Sequence, residues 1–351
     1  MLSSKKFVKY FMIVLGTYLS YNLIVWNLFM SQIFTPKDGT SVGDLGRMSY
    51  QVDMLHNREL KYTLPKSHLY KDNYKNQKID IITIGDSFSR GGGLGENTYY
   101  QDFLASEFDA NVLNLMPSGY TALETVIGLY NNGYLAKTKP KMVIVESVER
   151  EIPRRYARKL DFNLKNVVAV PQEKTKKLKY YSVNMINTAN FKFPWYTFLY
   201  NFKDNASGKV YKIKLNKSLF SIGDGKKILM YKDDFDYMPH FTKEAIEQVN
   251  SNFNKVAKML KTLNIKLVFL PATDKYDLYS DFIKDNKYPK NPFFDLIRPL
   301  KKDYIFVDTK KILLPLLEKG VKDVYWIDDS HWTQKASYAV THDKIFTDNY
   351  K

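Results

Sequence analysis

The sequence contains no cysteine. Disulfides, thiol nucleophiles and cysteine-based metal sites are excluded together. Histidine is almost as scarce: five residues, at positions 56, 68, 240, 331 and 342, leave little material for a His-rich metal centre, and no metal is expected. Internal repeats and low-complexity tracts are missing too. So are helix-turn-helix, zinc and RNA-binding signatures, which leaves the net charge of +16 without a nucleic-acid motif. Two readings of that charge stay open. It suits an anionic neighbour such as lipid headgroups, teichoic acid or an acidic polysaccharide, or it reflects a Lys- and Asn-rich composition and solubility. With 44% hydrophobic and 26% charged residues in 351, the chain has an ordinary globular composition and a sizeable core is expected.

Charge is also missing from one stretch near the N-terminus. From Tyr10 to Phe34 no residue is charged, and about 20 apolar residues are enough to cross a bilayer. Lys5, Lys6 and Lys9 precede the run. By the positive-inside rule they keep the N-terminus in the cytoplasm and place everything after residue 35 outside, at the cell membrane. A cleaved signal peptide would have a shorter apolar region and small residues at its end, whereas this run ends in Met30-Ser31-Gln32-Ile33-Phe34. Residues 1–35 are therefore expected to be a cytoplasmic tip and an uncleaved anchor. Residues 36–77, polar and punctuated by Pro36 and Pro65, read as a stalk.

Beyond residue 77, β-branched runs at Ile79–Ile84, Asn111–Met116, Met142–Val145, Ile265–Leu270 and Tyr304–Val307 read as strands. Helical patterns lie between several of them. The clearest is Thr242–Leu263, with Ile246, Val249, Phe253, Val256 and Leu260 on one face and Thr242 as its cap. Strands alternating with helices predict an α/β fold: a three-layer α/β/α arrangement around a central parallel sheet over residues 78–351. The region 153–237 breaks the alternation. It is Lys- and Tyr-rich without clean periodicity and reads as an insertion able to form a lid, with a lysine cluster at 174, 176, 177 and 179.

Two segments carry chemistry. Ile84-Gly85-Asp86-Ser87-Phe88-Ser89-Arg90 follows the first strand, where a sharp turn permitted by Gly85 exposes the Ser87 hydroxyl at the carboxyl edge of the sheet. The N-terminus of the following helix is expected to aim amides at a developing oxyanion. Trp326-Ile327-Asp328-Asp329-Ser330-His331-Trp332-Thr333 precedes a final helix capped by Thr333. A serine nucleophile needs a base, and the base needs a carboxylate to fix its tautomer. His331 supplies the first, and Asp328 or Asp329 the second.

The pairing of these blocks resembles the SGNH (GDSL) hydrolase superfamily, most closely its alginate O-acetyltransferase-like branch with its Asp-Ser/Thr-His-Trp-Thr motif. Gly85-Asp86-Ser87-Phe88 is similar to the first family block and Asp329-Ser330-His331-Trp332-Thr333 to the last. Val143-Ile144-Val145-Glu146-Ser147-Val148-Glu149-Arg150 and the stretch Leu270–Tyr279 with Pro271 and Lys275 are similar to intermediate pieces. The resemblance implies Ser87 as nucleophile, His331 as base and Asp329 as the acid, with Asp328 as the alternative. It implies an oxyanion hole from the N–H groups of Ser87 and Gly119. The usual third-block Gly-x-Asn-Asp is missing. Ser147 or Arg150 stands where its Asn would be, and Arg150 reads either as a substrate contact or as an ion-pair partner of Glu149. The implied activity is acyl transfer, of acetyl, to hydroxyls of a cell-surface or exported polysaccharide. It needs no cofactor, and the implied partner is a multi-span membrane-bound O-acyltransferase that donates acyl groups. Hydrolysis with water as acceptor and a non-catalytic polysaccharide-binding scaffold are the rivals; 27 Tyr and 22 Phe offer material for sugar stacking.

Overall fold

In the computed structural model, residues 4–35, 42–56, 63–92, 98–117, 119–174 and 183–350 are described. The expected lysine cluster lies outside them at Lys176, Lys177 and Lys179.

Among the described residues eight strands form two sheets: β1 (Ile81–Ile84), β2 (Val112–Pro117), β3 (Met142–Val148), β4 (Ala169–Pro171), β5 (Val210–Lys214), β6 (Lys227–Tyr231), β7 (Lys266–Ala272) and β8 (Ile305–Phe306). The central sheet runs β4-β2-β1-β3-β7-β8. Pairings among β2, β1, β3, β7 and β8 are parallel, and β4 adds antiparallel to the β2 edge. The five expected strands are the five parallel ones. Every residue of β1 and β3 is buried. Because successive strand residues point to opposite faces, both faces of the sheet are covered. The helix Tyr100–Glu107 packs with Gln334–Thr341, and Lys243–Lys261 packs with Ala122–Asn131 and on β7. The helix expected over Thr242–Leu263 is observed at Lys243–Lys261, and the Thr242 hydroxyl accepts the Ala245 N–H at 3.2 Å. Thr333 caps Gln334–Thr341 as expected, but a further helix, Lys344–Tyr350, follows it.

Taken in chain order, the parallel strands lie second-first-third-fourth-fifth. Order reverses between β1 and β3, and ligands of open α/β sheets bind outside the carboxyl ends of strands at such a switch point. Ser87 leaves β1 there.

The N-terminal helix is long and apolar enough to cross a membrane. It runs as an α-helix over Ser4–Val25, widens to a π-helical stretch at Trp26–Met30 and ends at Phe34.

One organisational expectation needs correction. The described part of the segment read as a stalk, 42–56 and 63–77, folds onto the domain. Gly46 N–H donates to the Asp328 carbonyl at 2.9 Å, Gly43 N–H to the Asp328 carboxylate at 2.9 Å, and Leu69 bridges Leu113 at the sheet. Its buried Leu45, Met54 and Leu69 join the main core, which gives the segment the apolar burial that a free stalk lacks. Part of the 153–237 insertion joins the sheet, since β4 belongs to it. Its hairpin β5–β6 packs against Asp44–Ser49 and Lys275–Tyr279.

Candidate active site

Ser87 lies in a turn, not at the head of a helix; the next helix starts at Tyr100. Carboxylates rather than a helix dipole hold this turn. Buried Glu146, on β3, accepts the N–H groups of Asp86 at 3.0 Å and Ser89 at 3.1 Å, and the Ser89 hydroxyl at 2.8 Å. Asp86 accepts the Phe88 N–H at 3.2 Å and the Val148 N–H at 2.9 Å. The amides on both sides of Ser87 are thus occupied, and among the described residues the Ser87 N–H has no such acceptor. Gly85 is required for close approach: a Cβ there would overlap the Glu146 carboxylate and the Ser89 hydroxyl.

Electrostatics separate these two acids. Burial opposes ionisation of Asp86, but the Arg155 guanidinium at 2.5 Å and the Val148 N–H outweigh it and hold its carboxyl below the usual range. Burial and the neighbouring Asp86 charge push Glu146 well above its ordinary value.

His331 closes on Ser87 from the other end of the chain. Its Nε2 lies 2.7 Å from the Ser87 Oγ, and its Nδ1 lies 2.6 Å from Asp329 Oδ1. The carboxylate selects the tautomer with the proton on Nδ1 and leaves Nε2 to accept the serine proton. Asp329 Oδ1 also accepts the His331 backbone N–H at 3.1 Å. Asp328 is the other acid of the sequence reading, and its carboxylate turns away to Gly43. Phe88 packs beside the imidazole with ring centroids 4.8 Å apart. Burial pulls the His331 imidazole down, but the Asp329 carboxylate, joined by that of Asp44, outweighs it and holds the ring above its ordinary value.

Asp44 has no counterpart in the sequence reading. Its Oδ2 accepts the Ser330 hydroxyl at 2.6 Å and its Oδ1 the Ser330 N–H at 2.8 Å, while its own N–H donates to Asp329 Oδ2 at 3.4 Å. Burial, and then repulsion from Asp329, push its carboxyl up. Asp44, Asp329 and His331 bring three ligand-type atoms within 4.8 Å of one another. Asp44 is already used by Ser330 and the His331 Nε2 faces Ser87, so the cluster is built as a hydrogen-bonded relay.

Lys275 is buried, and its ammonium donates to the carbonyls of Trp326 at 2.6 Å, Ile327 at 3.0 Å and Asp329 at 3.0 Å. The histidine loop is wrapped around this group. Burial brings its pKa down to about 7 although Asp328 and Asp329 pull the other way. Sequence similarity singled out Lys275, but no sequence signal gave its partners.

The remaining expected residues fall as follows. Gly119 sits exposed in the turn after β2, with φ at 78°, so it opens at the same sheet edge as Ser87. Arg150 is an ion-pair residue, but its partners are Asp274 at 2.7 Å and Asp234 at 3.1 Å rather than Glu149. Glu149 instead accepts the Asp274 N–H at 2.7 Å. Ser147 is buried and takes a hydrogen bond from Arg155 at 2.9 Å. Gly92 was missed altogether: a Cβ there would overlap the His331 ring, and its N–H donates to the Ser87 carbonyl at 2.7 Å.

None of the family models, curated proteins or solved structures compared with this chain matches it.

Proposed function

We propose that the protein is an extracytoplasmic serine O-acyltransferase of SGNH type, anchored by its N-terminal helix. In this reading it transfers acetyl to hydroxyls of a cell-surface or exported polysaccharide. The observation that carries the proposal is the chain Ser87 Oγ, His331 Nε2, His331 Nδ1, Asp329 Oδ1, with spacings of 2.7 and 2.6 Å, at the switch point of a parallel sheet. The similarity of the Gly85–Phe88 and Asp329–Thr333 blocks to the alginate O-acetyltransferase-like branch adds to it.

In this reading the steps use that chain of atoms. His331 Nε2 takes the Ser87 proton as Oγ attacks the acyl carbonyl. Charge builds on the carbonyl oxygen, which the N–H groups of Ser87 and Gly119 would hold. The tetrahedral adduct collapses, the leaving group departs with the proton from His331, and acyl-Ser87 remains. A sugar hydroxyl then gives its proton to His331 and attacks the ester carbonyl, restoring free Ser87 and leaving the sugar acylated. The donor is a membrane-bound O-acyltransferase partner that presents acyl groups at the outer surface.

The test is mass spectrometry of the detergent-purified full chain after incubation with p-nitrophenyl acetate, beside Ser87→Ala and His331→Ala. One acetyl on the Ser87 peptide, lost in both variants, is expected. Adding unmodified polysaccharide distinguishes acetylated sugar from free acetate, and acetate alone would make the protein an esterase. Unaltered glycan acetylation in cells carrying Ser87→Ala would sink both enzymatic readings in favour of a scaffold.

A further inference from the structure

Between residues 183 and 203 the chain has no acidic residue and only two cations, Lys192 and Lys203, while seven aromatic residues fall between 191 and 202. The helix Ala189–Leu199 begins in this stretch. Phe191, Trp195 and Phe198 recur at spacings of four and three, which puts them on one face, and Phe202 in the turn after the helix packs on Phe198 with centroids 5.1 Å apart. All four are left in the open: Phe191 is 46% exposed, Trp195 57%, Phe198 54% and Phe202 74%. Met185 and Ile186, just before the helix, are exposed as well. Exposed apolar area of this extent marks an interaction surface.

What the helix touches identifies the occupant. Phe191 packs on Tyr18 and Tyr21 of the N-terminal helix, with centroids 6.1 and 4.9 Å away, and Phe193 packs on Phe29 at 4.7 Å. The Tyr21 hydroxyl donates to the Asn190 carbonyl at 2.8 Å. The Asn190 side-chain amide donates to the Asn22 side chain at 2.8 Å, and both residues are fully buried. Side-chain amide pairs of this kind satisfy polar groups between helices in an apolar medium. Tyr18 and Tyr21 lie eight and eleven residues after Tyr10, where the charge-free run begins, so they stand about 12–17 Å along the axis at 1.5 Å per residue. A hydrocarbon layer of about 30 Å that begins near Tyr10 therefore includes the level at which Phe191 is docked. Tyr18, on which Phe191 packs, is itself exposed, and Leu19, Leu23 and Leu28 of the anchor are exposed too.

We infer that residues 183–203 are a membrane-embedded strap: the helix Ala189–Leu199 and the turn after it bury Phe191, Trp195, Phe198 and Phe202 in the outer leaflet beside the anchor and seat the domain on the bilayer. The composition is that of a membrane-associated segment, with aromatic residues on the lipid side and Lys203 at its end. Tyr196 of the strap stacks on Tyr50 at 5.8 Å, and the segment that carries Tyr50 also carries Asp44. The strap thereby fixes the height of the histidine loop above the membrane.

The cysteine-free chain permits single spin labels. Full-length Trp195→Cys, Phe198→Cys and Phe202→Cys, labelled and reconstituted into phosphatidylcholine–phosphatidylglycerol vesicles, would be read by collision with oxygen against a water-soluble nickel chelate. Leu23→Cys is the lipid control and Tyr338→Cys, exposed on the domain, the aqueous one; circular dichroism melting verifies that each variant folds. Oxygen collisions several-fold above nickel at 195, 198 and 202, as at 23, are expected. Nickel dominance, as at 338, puts the face in water and overturns the inference. Low collision with both reagents means that protein covers it, which overturns the lipid assignment equally.

Discussion

Asp44 holds Ser330 by two hydrogen bonds, to its hydroxyl at 2.6 Å and its N–H at 2.8 Å, directly before the catalytic candidate His331. The segment that leaves the N-terminal helix is in this way tied to the base. Asp44→Asn keeps an acceptor but removes a charge that helps to hold the imidazole up. The base acts only when neutral, so Ser87 acylation falls as pH drops through the His331 pKa, which lies above the ordinary 6.5. The acid limb of the acylation rate is expected to move to lower pH in Asp44→Asn. A limb that stays in place would show that Asp44 has no electrostatic hold on His331. Asp44→Ala leaves the two Ser330 donors without their acceptor, at about 1–3 kcal/mol for each that stays buried.

The two adjacent acids are expected to separate cleanly. Asp329→Asn exposes Nδ1 of His331 to an amide that can impose the wrong tautomer, with a loss of acylation on the order of 10³–10⁴ and little change in melting temperature. Asp328→Asn weakens the hold on Gly43 instead. It should lower the melting temperature more than the rate. Equal rate losses in both would remove Asp329 from its assigned role.

How much of this was legible in sequence follows from what each feature depends on. The parallel strands are continuous β-branched runs because both faces of the sheet are buried, and a run of that kind stands out. Ser87 and His331 were legible because their neighbours form recognisable blocks. Asp44 was not, because its meaning depends on Ser330, 286 positions away, and its own segment has no periodicity. Gly85 was noticed for the wrong reason: its backbone is ordinary, and the Glu146 carboxylate excludes any side chain there. The 183–203 segment looked aperiodic because its aromatic residues are divided between contacts with the anchor, through Phe191 and Phe193, and open exposure at Trp195, Phe198 and Phe202.

Lys275 gives a test of stability as well as of the site. Its folded pKa of about 7 lies below the 10.5 of a free lysine, so between those values the unfolded chain binds more protons than the folded one. Its contribution to folding stability therefore rises with pH from about 7 towards 10.5. Lys275→Met removes this slope and strips three carbonyls of a donor, at a cost of about 3 kcal/mol. Urea unfolding at pH 7 and pH 9 should show a pH-dependent gain in wild type that is smaller in the variant. The same gain in both would show that other groups produce it.

Gly92 offers the sharpest separation of geometry from fold. It lies in the turn after Ser87, with its N–H on the Ser87 carbonyl at 2.7 Å and no room for a Cβ beside the His331 ring. A methyl group there meets the imidazole, which Phe88 blocks on one side and Asp329 fixes at Nδ1. The cheapest relief is a shift of the ring away from Ser87, and a displacement of about 1 Å can cost about 10²-fold in rate. Gly92→Ala is therefore expected to slow Ser87 acetylation by about that factor while the melting temperature stays within a few degrees of wild type. Because the turn can also move, Gly92→Ser serves as a second probe with a similar clash and a polar tip. Full acylation rates in both variants would mean that His331 is not held where the 2.7 Å contact with Ser87 places it.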